Sequence, residues 1–147
     1  MSALVALLAS ACLYGSGTPD GSTAVPLHQN DAAQVASQTA EILAMDLPPA
    51  NSKLVIVGPR ACSKSDTFTP ALHDALRRKG FAVAQDTTLN PDGHIVRYHL
   101  SEGIGTGVIL RLEIDGTSSA RLFDRRADGR LYPAPSATVM NRYDLEN

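Results

Sequence analysis

The chain has 147 residues, 44% of them hydrophobic and 19% charged, with no Trp, which sets one domain and a core built from Leu, Val, Ile and Ala. Thirteen basic residues against fifteen acidic ones leave a net charge of −2, so no overall basic excess points to nucleic acid. The two cysteines, Cys12 and Cys62, form no C-x-x-C pair and stand at no zinc-ligand spacing from His, which argues against a structural metal site.

Residues 1–11 are uncharged and mostly apolar, too short a run to span the ~30 Å hydrocarbon core of a bilayer. They fit the apolar region of a secretory signal peptide. Ala9-Ser10-Ala11-Cys12 resembles the bacterial lipobox, in which small residues precede an invariant Cys. That resemblance implies lipid attachment at Cys12: a diacylated thiol, removal of 1–11, and a further acyl chain such as palmitate on the new amino terminus. The competing reading is a buried N-terminal helix with a structural Cys, but Gly15, Gly17, Pro19 and Gly21 follow at once and cannot continue a helix. Leu13 is not the Asp that resembles an inner-membrane retention signal, so the analogy implies sorting to the outer membrane. Residues 12–30, rich in Gly, Ser, Thr and Pro, read as a flexible tether with a span of roughly 20–25 Å.

Asn30 or Asp31 can cap a helix over 32–46, whose Val35, Thr39, Ile42 and Leu43 make an apolar stripe and whose Gln34, Gln38 and Glu41 face away. Such a helix packs on its own domain or docks into a partner. Residues 53–57 read as a strand and 60–66 as a polar loop holding Cys62. Asp66 or Thr67 caps a second helix that Gly80 ends, with Phe68, Leu72, Ala75 and Leu76 on one face. Arg77, Arg78 and Lys79 complement its carboxyl end.

From Phe81 the period drops from 3.6 to 2. Strands are expected over 81–85 and 95–100, with Val96, Tyr98 and Leu100 opposite Arg97 and His99. The next covers 108–114, with Val108, Leu110, Leu112 and Ile114 on one face. Asp115-Gly116 and Asp128-Gly129 are hairpin turns, and between them Ala120 and Leu122 alternate with Arg121 and Phe123. The fold class is therefore α+β: a small antiparallel sheet with two helices packed on one face. The domains are a signal peptide (1–11), a tether (12–30), a periplasmic α+β domain (31–135) and a C-terminal tail (136–147).

Little in the chain reads as chemistry. The glycine-rich 103–107 segment lies between two strands, whereas phosphate loops open a helix. His28 sits in the tether, His73 on the polar face of the second helix, and His94 and His99 on opposite strand faces. No catalytic, cofactor-binding or metal-ligating residue is assigned, and an enzyme is not expected. Arg125, Arg126 and Arg130 bracket the second turn, either gripping an acidic partner or keeping an outer hairpin soluble. Cys62 either pairs with another chain or is buried and inert, and an unlipidated Cys12 would make a Cys12–Cys62 bridge the alternative.

With these features assembled, the chain resembles the TrbH family of conjugal-transfer lipoproteins, components of plasmid type IV secretion systems. The resemblance rests on Cys12, the polar tether, the first helix, the block FTPALHDALRRKGFAV from Phe68 to Val83, and the ending Val139-Met140-Asn141-Arg142. It implies an outer-membrane lipoprotein facing the periplasm that binds channel subunits of the secretion core complex. It also implies a domain similar to those at the amino termini of secretins. Membrane contact through the N-terminal lipid, no nucleic acid, and an oligomer within a larger assembly complete the expectation. Similar blocks also occur in lipoproteins that assist lipid or lipopolysaccharide transport, which implies amphiphile binding as the alternative.

Overall fold

The computed structural model describes residues 22–59, 66–84 and 92–141, with the side chains of 23 and 136–141 outside that description. In chain order these residues form β1 (Thr23–Ala24), α1 (Gln29–Asp46), a 3₁₀ turn (Pro49–Asn51), β2 (Lys53–Ile56), α2 (Phe68–Lys79), β3 (Ala82–Ala84), β4 (His94–Glu102), β5 (Val108–Ile114), β6 (Thr117–Arg125) and β7 (Leu131–Asn141). One sheet runs β3-β2-β4-β5-β6-β7, and β1 pairs with β4.

The class is α+β as expected, but the sheet is mixed and not purely antiparallel. β2 runs parallel to both β3 and β4. The reason is the connection: a 12-residue helix between β2 and β3 carries the chain back along the sheet, so the second strand starts at the same end as the first. Leu54, Val55 and Ile56 are at most 1% exposed, so β2 is buried on both faces, as central parallel strands usually are. β1 also runs parallel to β4, whereas the pairings β4-β5, β5-β6 and β6-β7 are antiparallel. Asp115, at φ 49°, and Gly116, at φ 87°, make the tight two-residue turn between β5 and β6.

Residues 22–30, expected within a tether, lie within the fold, because β1 takes over the edge of β4 where β2 leaves it. β2 covers His94, Ile95 and Val96, and β1 covers His99 and Leu100. Buried Ser22 stitches the handover. Its hydroxyl donates to the Val57 carbonyl and accepts the Tyr98 N–H at 3.0 Å, so neither backbone group is stranded. At the other end of the chain, β7 runs to Asn141, six residues beyond the 135 boundary read from the sequence.

α1 starts earlier than the sequence suggested. His28 occupies its N-cap, with Nδ1 accepting the Asn30 N–H at 3.4 Å, while Asp31 sits in the first turn. Its inward stripe is Ala32, Val35, Ala36, Thr39, Ala40 and Leu43, and Ile42 is only half-buried. Small alanines let α1 approach α2 closely, so the helix packs on its own domain. α2 is capped by Asp66, whose Oδ1 accepts the Phe68 and Thr69 N–H groups at 3.1 and 3.0 Å. At the other end Gly80 adopts φ 95°, which lets its N–H and that of Phe81 reach back to Arg77 and Leu76.

The core lies between the helices and one face of the sheet, where Tyr98, Phe68, Phe123, Leu43, Leu72 and Leu110 are fully buried. Phe68 meets Tyr98 edge-on, with centroids 5.0 Å apart at 71°. Such a pair is worth about 0.5–1.5 kcal/mol beyond area burial. In β6, Phe123 stands opposite Val108 and faces the core, while Leu122 lies on the other face opposite Ile109. His73 is corrected too: it is 4% exposed, not on a polar face.

Candidate functional site

Three chain segments meet at one end of the sheet: the β4–β5 connection (103–107), the β6–β7 turn (126–130), and the stretch from Val25 to the start of α1. The first and third of these, with Glu102 and Arg125 at the ends of β4 and β6, bound an open cleft of ≈ 330 Å³ whose walls include Val25, Leu27, His28 and Asp31. Two elements hold it in shape. The Gly103 N–H donates to the Gly107 carbonyl at 2.9 Å and the Gly107 N–H to Ile104 at 3.2 Å, so these amides are spent inside the connection. A Cβ on Gly107 would stand 2.8 Å from the Phe123 carbonyl oxygen. That glycine therefore serves close packing on β6 and does not cradle an anion. Ile104 projects from the connection and is 87% exposed.

The second element is a fork of hydrogen bonds. Arg125 Nη1 and Nη2 donate to the two Asp31 carboxylate oxygens at 3.1 and 2.8 Å, and Nη1 also donates to the Gly129 carbonyl at 2.7 Å. One guanidinium thus ties α1 to β6 and to the turn that follows it. The hydrogen bonds to Asp31 raise its pKa further, so the charge is permanent. Arg126 lies over the Tyr132 ring, 4.2 Å from its centroid. The Tyr132 hydroxyl donates to Asp128, which also accepts the Arg130 N–H at 2.9 Å. These bonds, the backbone one first, hold the Asp128 carboxyl below its ordinary pKa. Of the three arginines expected on a solvated hairpin, Arg125 is a half-buried clamp.

Several other titratable groups among the described residues bond within the fold. Thr69 Oγ1 donates to Asp66 and shares a hydrogen bond with the buried Tyr98 hydroxyl, whose pKa burial raises. His94 Nδ1 lies 2.6 Å from Asp115 Oδ2, and Asp115 Oδ1 accepts the Ile95 N–H at 3.1 Å, so this exposed pair pins the β5–β6 turn to β4. His73 Nε2 is buried with no hydrogen-bond partner among the described residues, and burial, then Arg77, lowers its pKa. Among the described residues, no three His, Cys, Asp or Glu gather to hold a metal ion. No described helix is long and apolar enough to cross a membrane.

The residue singled out from the sequence, Cys12, lies outside the described residues, and so does Cys62. Sequence reading did not find the cleft or the Asp31–Arg125 fork, because their partners stand 94 positions apart and share no local pattern.

Comparison with protein families matches residues 14–143 to the family described as conjugal transfer protein TrbH. No curated protein and no solved structure matches the chain.

Proposed function

The chain belongs to the TrbH family of conjugal transfer proteins, and from that premise we propose that it is a lipid-anchored outer-membrane lipoprotein of a conjugative type IV secretion apparatus, acting by binding channel subunits. The observation that carries this reading is a lipobox-like Cys12 standing two residues before the family-matched region. Three acyl chains contribute about 0.8 kcal/mol per buried CH₂, whereas a single myristoyl chain binds only marginally.

The fold shortens the leash. Ser22 is bonded into the sheet, so ten residue steps and not eighteen separate the anchor from the domain. Ten residue steps reach at most ~35 Å even when fully extended. That limit bounds the distance of the domain from the bilayer, which raises its effective concentration for subunits in the same membrane. The amphiphile-binding alternative needs a cavity on the helix-covered face. Val96, Tyr98, Leu100, Leu110 and Leu112 fill that face against both helices, and no observation favours the alternative.

Cys12→Ser tests the reading. The variant is expected to leave the outer-membrane fraction and to lose DNA transfer while keeping the folded domain. Membrane retention, or transfer at the wild-type level, would reject lipid anchoring at Cys12.

A further inference from the structure

β7 is an edge strand, the last in the sheet order. The hairpin geometry settles which of its backbone groups face outward. In the two-residue turn at Asp115-Gly116, Thr117 pairs with Ile114 through both backbone groups, so odd-numbered residues of β6 point to β5 and even-numbered ones to β7. The Arg126 N–H to Arg130 carbonyl bond at 2.9 Å agrees. Asp124↔Tyr132, Ala120↔Thr138 and Ser118↔Met140 are then the bonded pairs. Leu131, Pro133, Ala137, Val139 and Asn141 therefore turn their backbone groups away from β6.

The first half of that outer edge is closed. The Leu131 N–H donates to Gln34 Oε1 at 3.2 Å, and Pro133 has no N–H to offer. Pro135 lies in the irregularity between the 123↔133 and 121↔137 pairings, where β7 advances four residues against two. Among the described residues, no comparable bond or proline guards the second half. Residues 136–141 read Ser-Ala-Thr-Val-Met-Asn, with no charge and no proline. Edges that stay in water are ordinarily blunted by charge, proline or shortness.

A whole row of alternating N–H and C=O groups is matched group for group by an extended backbone. We infer that residues 137–141 of β7 pair antiparallel with the same segment of a second copy of this chain, about a two-fold axis at Val139. In that register 137 meets 141, 139 meets 139, and every outward group of the open segment finds a partner. A register one step nearer the turn, centred on residue 138, would set Pro135 against 141 and lose a bond. The closed half thus disfavours registers nearer the turn, and the contact is isologous and self-limiting.

The full chain carrying Cys12→Ser and Cys62→Ser, in mild detergent, is expected to show a concentration-dependent monomer–dimer equilibrium by sedimentation. Val139→Pro removes one outward N–H and leaves the β6 ladder intact, so it should weaken dimerisation at least tenfold with an unchanged unfolding transition. Because bonded antiparallel partners stand about 5.5 Å apart at Cα, within disulfide reach, Val139→Cys in that background should form an intermolecular disulfide on oxidation. Asp128→Cys, at the hairpin turn, should not. A monomer at every concentration, or a dimer indifferent to Val139→Pro and without the residue-139 crosslink, would overturn the inference. Neither outcome bears on Cys12 as the anchor.

Discussion

Replacing Asp66 with Ala is expected to cost the domain roughly 2 kcal/mol. The figure follows from what the carboxylate holds. Oδ1 accepts the Phe68 and Thr69 N–H groups, a cap worth about 0.5–2 kcal/mol. Oδ2 accepts the Thr69 hydroxyl, and a lost side-chain hydrogen bond costs about 0.5–1.5 kcal/mol, here reduced because Thr69 keeps Tyr98. A negative charge at the helix amino end adds about 0.3–1 kcal/mol, overlapping the cap. Against a typical domain stability of about 5–15 kcal/mol the loss is large. Urea denaturation of the full chain reads it directly: with a slope of about 2 kcal/mol/M, the midpoint should fall by about 1 M at unchanged slope. Asp66→Asn keeps an acceptor toward the two amides and should recover about half. An Asp66→Ala midpoint within ~0.25 M of wild type would refute the reasoning, as would an Asn variant no better than the Ala one.

Two further outcomes follow from the cleft and the core. Asp31→Asn breaks the fork that ties α1 to β6, and because both side chains remain partly in water the loss should be about 1 kcal/mol, shrinking as salt rises. A double-mutant cycle with Arg125→Met measures it, and a coupling near zero at low salt would show the pair to be idle. His73 has a lowered pKa when folded, so the unfolded chain takes up its proton first as pH falls. Its contribution is therefore complete above the ordinary value of 6.5 and is lost as pH drops from there toward the folded pKa; His99 shifts in the same direction. Urea midpoints from pH 7.5 to 5 should fall less steeply for His73→Leu than for wild type, and parallel curves would contradict this.

Much of the fold was legible because its causes are local. α2 carries its own cap, apolar face and terminating glycine within fifteen positions, and its observed bounds differ little from those read off the sequence. β5 alternates cleanly and spans the same residues, 108–114, that the pattern indicated. The Asp115-Gly116 turn needs left-handed backbone at both positions, and those residue types announce it. The family was legible as well, through Cys12 and the Phe68–Val83 block, and the match to TrbH over 14–143 agrees.

The parallel pairing of β2 had a signal that alternation alone does not carry. A short unbroken apolar run followed by a helix and another strand is the pattern of a βαβ unit, and Leu54-Val55-Ile56 fits it. β1 had no signal, since two residues between prolines and glycines show no period. Its strand character comes from Ser22 and from the free edge of β4. His73 looked polar by residue type, yet its place on α2 beside Leu72 and Leu76 buries it.

The amino-acid order alone determined α2, β5 and the Asp115-Gly116 turn nearly to the residue, because capping, periodicity and turn chemistry act over a few residues. Tertiary structure decided which strand lies beside which, that residues 22–30 belong to the domain, and that Arg125 grips Asp31 from 94 positions away. Those outcomes depend on which edges and buried groups remain unsatisfied after the local elements have formed, and that balance exists only once the chain has closed on itself.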